Sequence, residues 1–319
     1  MSPKDNLLRV LRHDNPGWVP NGLESVQWFP APLIERPSVA GADVFGVEWS
    51  LNPEAEGGTY PTVGCPGVTD LRRWREQLHL PNLASIDWQP IADATARVDR
   101  QQYLLLGGIE MGLFERSYLL LGMEEALIAY LEEPELMRDL LETLADYKIS
   151  LIAKLHEVAQ LDMINYGDDW GTQANLFIPP ATWRAVIKPP TQRIYQACLT
   201  RGIMINQHSC GYIAPILGDI VEMGATIWNP CQPCNDLAAL KQRFAGHLTF
   251  MGGIDSQFVL DRPGVTPAEV RAEVRKRIDE MADGGGYIAS PSHGVPYEQE
   301  LIDAMYDEIA VYGRRRYHA

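Results

Sequence analysis

The sequence predicts an α/β barrel, in which parallel strands alternate with helices and close as a (β/α)8, or TIM, barrel. Three observations point there. Strand-like apolar runs recur through the 319 residues, at Tyr103–Ile109, Met163–Tyr166, Ile203–Gln207, Ala225–Trp228, Leu248–Met251 and Gly286–Ala289. Helical apolar spacing fills the gaps between them, and a parallel crossover needs such a covering helix. No G-x-G-x-x-G turn follows any of these strands, which disfavours a doubly wound dinucleotide-binding sheet.

In chain order, Asn6–Arg12 has the spacing of a short amphipathic helix, and His13-Asp14-Asn15-Pro16-Gly17 stops it. Trp18–Glu24 is expected to be the first strand, delivering Glu24 to its end. Residues 28–99 hold Pro, Gly and Trp without a long periodic run, apart from one short helix over Asp70–Leu78. Because Trp and Leu keep recurring, this stretch is expected to fold as an excursion over the barrel mouth and not as a linker.

The longest helix starts at Pro134, where a missing N–H costs nothing, and Met137, Leu140, Leu141, Leu144, Ile149, Leu151, Ile152 and Leu155 form its approximate apolar face. Further helices are expected over roughly 180–200, 213–223, 236–244, 267–282 and 297–314, with Asp236 and Thr266 as N-caps. Gly202 and Gly224 stand where left-handed helix ends belong, each just before a strand. With the Glu24 strand this makes seven strands, and the eighth is expected within the irregular region or the weaker segments. The whole of 1–319 is expected to be a single domain, a length common for α/β barrels.

Composition narrows the function. The chain is 46% hydrophobic, enough for a large core, and carries 42 acidic against 27 basic residues for a net charge of −15. Such a surface argues against nucleic acid and anionic membranes as partners. No stretch is apolar enough to span a bilayer, and Met1–Asn6 has no apolar signal core. The five cysteines are odd in number and irregularly spaced, unlike a disulfide framework, so a reducing, cytoplasmic setting is expected.

Active sites of α/β barrels form at the carboxyl ends of the strands. Those ends bring forward Glu24, Glu110, Asp168-Asp169-Trp170, His208-Ser209-Cys210, Asn229-Pro230-Cys231, Asp255 and Ser290-Pro291-Ser292-His293. On a strand, His208 and Cys210 point the same way and Ser209 the other, so imidazole and thiol form half of a soft-metal site. An isolated His-x-Cys is more often core packing, but nearly every strand here stops in an ionisable or metal-capable residue. Asp168 and Asp169 face opposite sides on an extended segment, so one is expected in the barrel and the other as a cap. Tyr166 and Trp170, with Trp18, Trp28, Phe29 and Trp49, are candidates for an aromatic pocket and equally for packing. Cys231 and Cys234 form a C-x-x-C without the second pair that a structural zinc site needs.

Several segments together resemble the uroporphyrinogen decarboxylase-like superfamily, within it the cobalamin-dependent methyltransferase branch. They are Pro3–Arg9, Trp18-Val19-Pro20, Gly167–Gln173, His208-Ser209-Cys210-Gly211, Asn229–Pro233, Gly252–Asp255 and Gly285–His293. The resemblance covers almost the whole chain and implies a TIM barrel. It also implies a zinc ion held by His-x-Cys and a third ligand after the last strand. His208 and Cys210 match the first two; the aligned third position, commonly Cys, is His293 here, with Cys231 as an alternative. By the same resemblance, the methyl acceptor or donor is the cobalt of cobalamin carried by a separate corrinoid protein.

These observations make a methyltransferase the expected function, acting on a small methylated substrate, with a methoxylated aromatic as preferred donor. Glu24, Glu110, Asp168 and Asp169 are the candidates for proton handling, and Tyr166, Trp170, Asn229 and Asp255 for substrate contacts. Transfer from methylcorrinoid to a thiol or pterin is the alternative within the same chemistry. Uroporphyrinogen decarboxylation is disfavoured: a polycarboxylate wants cations, and Asn21–Pro30 contains Glu24 but no Lys or Arg. A barrel that binds a ligand without catalysis is the reading from a different class. Nothing in the sequence fixes whether the chain is a monomer or a homodimer.

Overall fold

A computed structural model describes residues 1–52, 58–295 and 298–317. β1 (Val26–Pro30) opens the main sheet, after which the chain builds a small antiparallel sheet of β2 (Gly41–Ala42), β3 (Glu48–Leu51) and β4 (Thr59–Pro61). It returns through β5 (Leu104–Ile109), β6 (Met163–Gly167), β7 (Met204–His208), β8 (Ile227–Cys231), β9 (Thr249–Ile254) and β10 (Tyr287–Pro291). The main sheet has seven strands in the order β1-β5-β6-β7-β8-β9-β10, and every neighbouring pair is parallel.

The sheet is curled. Asn21, on the chain leading into β1, bridges to Ala289 in β10 at the opposite edge. Gly22 N–H donates to Ala289 O at 2.8 Å, and Ala289 N–H donates to Pro20 O at 3.0 Å. That bridge is all the sheet pairing in Trp18–Glu24, so the first strand expected there is corrected to Val26–Pro30. The cause is local: Pro20 has no N–H, and Gly22 (φ 60°) and Ser25 (φ 58°) take left-handed conformations that break an extended run. Glu24 fastens the turn, accepting from Trp18 Nε1 at 3.0 Å and Asn21 N–H at 2.8 Å.

Inside the curl, Leu104, Met163, Ile227 and Ile288, at the first or second positions of their strands, pack against Leu7, Val10 and Leu11. The N-terminal helix Pro3–Leu11 therefore plugs the amino ends of the strands, held at its start by a Ser2–Asp5 capping box. The outer layer is the larger core, where Leu140, Leu144 and Leu151 of Pro134–Ala159 and Ile194 of Lys188–Leu199 bury their apolar faces. The helix expected over 180–200 is present, interrupted by a π-helical turn at Trp183–Ile187. The last helix spans Gln299–Arg315; Tyr297, where it was expected to begin, lies outside the described residues. No helix among the described residues is long and apolar enough to cross a membrane.

Besides the short Gln89–Thr95, two helices had no signal in the sequence, Leu113–Leu121 and Met123–Glu132. The first is only nine residues long and buried on nearly every side, so too little polar face remains to mark it. Its Arg116 is fully buried and ties the segment 31–47 to the body of the protein. Arg116 donates to Asp43 Oδ2 at 2.6 Å and Glu35 Oε2 at 3.0 Å, and its guanidinium lies 4.1 Å from the Phe45 ring centroid. Lys148, also fully buried, places Nζ 3.6 Å from Glu35 Oε2. Two cations thus face two carboxylates, which offsets much of the cost of taking each out of water.

A candidate metal centre at the carboxyl end of the sheet

Strand register sets the site. Gly167, His208 and Asn229 are register partners across β6, β7 and β8, and the backbone ladder continues one step beyond. Asp168 N–H donates to His208 O at 3.0 Å and Ser209 N–H to Asn229 O at 2.8 Å. Side chains two apart on a strand share a face. Met163 and Asn165, then Met204, Asn206 and His208, then Ile227 and Asn229 therefore all point inward. Climbing the interior, the lining changes from apolar residues, to amides, to the imidazole.

At that upper level the ligand atoms of Asp169, His208 and Cys210 lie within 4.8 Å of one another. His208 Nε2 is 3.6 Å from Asp169 Oδ1 and 3.7 Å from Cys210 Sγ, and the Cys210 N–H donates to Asp169 Oδ1 at 2.7 Å. Close backbone approach makes this possible. Gly211 (φ +79°) packs on the loop after β6 so tightly that a Cβ there would meet Gly171 C at 2.3 Å.

The donor set fits a zinc-type ion: one imidazole, one thiol, one carboxylate, with room for a further ligand. The opposite ring nitrogen of His208, Nδ1, lies 2.8 Å from Asn229 Oδ1, the arrangement that leaves Nε2 free as a donor atom toward the other two. Charge agrees. Burial, and then the Asp169 carboxylate, push the Cys210 thiol well above its ordinary range, a perturbation that a bound cation would reverse.

Three contiguous cavities run along this rim. The central one, about 520 Å³, is lined by Asp169, His208, Cys210, Asn229, Ser290 and His293 among others. An inner one, about 460 Å³, shares His208 and is lined by Trp28, Leu33, Glu35, Glu110 and Asn165. An outer one, about 460 Å³, shares His293 and includes Gln173, Cys234, Asp255 and Phe258.

The other candidate residues fall in different places. Glu110 lines the inner cavity, where desolvation and then Glu35 raise its carboxyl above the usual range. Exposed His293 follows β10 and lines two cavities, but its ligand atoms are outside the close group of Asp169, His208 and Cys210. Asp255 lines the outer cavity while its carboxylate caps Ser256–Leu260 through Phe258 N–H at 2.9 Å. Cys231 is fully buried in β8 and outside the group. Glu24 sits in the turn before β1 and is not among the residues lining these cavities.

Asp168 points away from its neighbour. It is fully buried and accepts from Phe114 N–H at 3.1 Å, Glu115 N–H at 2.9 Å and Trp170 Nε1 at 2.9 Å. Through the first two the Asp168 carboxylate caps the helix Leu113–Leu121, while burial pushes the carboxyl up to about 7 against these bonds. Tyr166 and Trp170 are also core residues: the Tyr166 hydroxyl accepts from Leu113 N–H at 3.1 Å, and Trp170 packs edge-on against Trp183 at 5.1 Å.

Glu115 belongs beside the site and had no sequence signal, since its helix had none. Its carboxyl accepts from Tyr118 Oη at 3.3 Å and is raised well above the ordinary range by burial, then by Asp169 and Asp168.

Comparison with known proteins agrees with the fold. A methyltransferase from Methanosarcina mazei superposes with a TM-score of 0.70 at 16% sequence identity, covering 100% of each chain. A xylose isomerase domain protein from Alicyclobacillus acidocaldarius (TM-score 0.39, 13% identity, 80% of this chain and 90% of that one) is much more distant. So is a sugar phosphate isomerase/epimerase from Parabacteroides distasonis (TM-score 0.38, 7% identity, 69% and 76%). A sequence comparison with curated proteins finds no match. The family model for uroporphyrinogen decarboxylase (URO-D) matches residues 40–309, most of the chain, and the protein belongs to that family.

Proposed function

We propose that this protein is a methyltransferase that moves a methyl group from a methoxylated aromatic to the cobalt of a corrinoid protein. The observation that carries the proposal is the Asp169–His208–Cys210 group, whose His208 borders both the central and the inner cavity. A fold shared with a protein described as a methyltransferase supports it. The curled sheet is taken to act as a complete eight-fold barrel, with Pro20–Gly22 closing it against β10 and the segment after β1 roofing its mouth.

In this mechanism Asp169, His208 and Cys210 are the residues that would hold a zinc ion. When bound, zinc supplies a Lewis acid that polarises the ether oxygen and stabilises the charge left there. The protein's own residues do the rest. Trp28, Pro30, Ala31 and Leu33 form an apolar wall that receives the ring and excludes water. Glu110, whose carboxyl is raised above its ordinary range by burial and then by Glu35, is the residue assigned to give a proton to the departing oxygen. The cobalt partner approaches from the open rim and takes the methyl group.

A decarboxylase acting on a tetrapyrrole polycarboxylate is the family's other obvious chemistry. No Lys or Arg is among the residues lining the three rim cavities, whereas Glu35, Glu110, Asp169 and Asp255 are. That field repels a polyanion.

The test is a spectroscopic screen of the purified protein with reduced corrinoid protein against methoxylated phenols, methylamines and methylthiols. Methyl-Co(III) absorbance with a methoxylated phenol is expected. Binding of such phenols without turnover would instead make the protein a ligand-binding barrel, and turnover of another class alone would remove the assignment of the inner cavity.

A further inference from the structure

The amide layer beneath the metal centre is continuous. Asn229 Oδ1 lies 2.8 Å from His208 Nδ1; Asn229 Nδ2 donates to Asn206 Oδ1 at 2.5 Å; Asn206 Nδ2 donates to Asn165 Oδ1 at 3.0 Å. Register produces this chain: Asn165 is the β-partner of Asn206, and His208 that of Asn229, with all four side chains on the inner face.

Each amide has one donor end and one acceptor end, so fixing one fixes the rest. A backbone carbonyl sets the sense of the chain, while the shorter contact with Asn206 holds the Asn229 amide in place. Asn229 Nδ2 also faces Gln207 O at 3.4 Å, and a carbonyl can only accept. Turning the Asn229 amide over would set its oxygen against both Gln207 O and Asn206 Oδ1. Asn229 Oδ1 is therefore held toward His208, and an acceptor there requires the ring proton on Nδ1. The lone pair is left on Nε2, which faces Asp169 and Cys210.

From this geometry we infer that Asn206 and Asn165 are positioning residues. Acting through Asn229, they fix the tautomer of His208 and so keep Nε2 ready to bind a cation. Asn165 also lines the inner cavity, so the chain of amides runs from the metal centre to the wall against which the donor ring would lie. The value of that tautomer rests on the metal reading proposed above; the tautomer itself does not.

The experiment is nitrogen-15 NMR of the full-length, metal-free protein labelled at histidine, with the His208 signals assigned by their loss in His208→Ala. Wild type is expected to show a protonated Nδ1 and an unprotonated Nε2. In Asn206→Leu the chain is cut and a mixture of tautomers is expected. In Asn206→Asp a carboxylate still accepts from Asn229 Nδ2, while Asn165 turns its amide to donate, so the wild-type pattern should return. Asn165→Leu cuts the chain at its half-exposed end and serves if Asn206→Leu does not fold. Metal titration supplies the second readout: weakening by about 10–100-fold in Asn206→Leu, as for other groups that orient a metal-bound histidine, and recovery in Asn206→Asp. A proton on Nε2 in wild type, or an unchanged tautomer in both Leu variants, overturns the inference. If wild type binds no metal, the proposed function loses its centre, and the tautomer data still decide the amide chain.

Discussion

The backbone N–H of Cys210 donates to Oδ1 of Asp169 at 2.7 Å. One hydrogen bond thus joins the strand end carrying the thiol to the neighbouring loop carrying the carboxylate, and His208 Nε2 completes the group at 3.6 Å from the same oxygen. Separated by about forty positions in sequence, the two segments meet because β6 and β7 are adjacent and in register at Gly167 and His208.

Metal analysis should therefore find a stoichiometric zinc-type ion in wild type. Cys210→Ser and His208→Ala should lose it together with methyl transfer, and Asp169→Asn should hold it at least tenfold more weakly, by analogy with lost supporting contacts. Full methyl transfer in a metal-free preparation would assign the chemistry to the carboxylates.

Metal binding should release a proton. The Cys210 thiol, pushed up by burial and Asp169, is protonated in the metal-free protein at neutral pH and must ionise to become a ligand. The sign follows: removing protons favours the bound form, so affinity should rise with pH, about tenfold per unit while one proton is displaced. Calorimetry in buffers of different ionisation enthalpy measures that proton, and a count of zero would exclude Cys210 as a thiolate ligand.

Asp168 and Asp169 should separate cleanly by phenotype. Asp168→Ala strands three buried donors, on Phe114, Glu115 and Trp170, and should cost about 1–3 kcal/mol or more in stability by denaturant unfolding. Metal content should survive in the folded fraction. Asp169→Asn should do the reverse, leaving stability nearly unchanged.

Arg116→Met should release the segment 31–47. It removes the donors to Asp43 and Glu35 and leaves both carboxylates buried, a change worth roughly 3–5 kcal/mol. Limited proteolysis should cut this segment first, and affinity for the donor should fall with it, because Leu33 and Glu35 line the inner cavity.

Gly108→Ala probes the wall proposed to receive the ring without touching the candidate metal residues. A Cβ at position 108 would meet Trp28 Cη2 at 2.1 Å, so the half-exposed indole must move. The expected result is a raised KM for methoxylated aromatics with metal content unchanged. Equal loss across all donor classes would mean that Trp28 does not set specificity.

The order of strands and helices was legible because burial writes itself as period 2 in strands and period 3.6 in helices. Six main-sheet strands and the longest helix fell close to their expected places. The pairing of His208 with Cys210 was equally plain, since residues two apart on a strand share a face. Even the amide layer leaves a trace, in Met163-Ile164-Asn165, Met204-Ile205-Asn206 and Ile227-Trp228-Asn229. Tertiary structure decided the rest. Adjacent Asp168 and Asp169 are chemically identical in the sequence, and only the short helix Leu113–Leu121, buried on nearly every side, makes one a cap. The other turns toward Cys210 because Gly171 and Gly211 let two backbones touch. Local pattern records which side of its own element a residue faces; what stands opposite depends on the register and approach of elements far away in the chain.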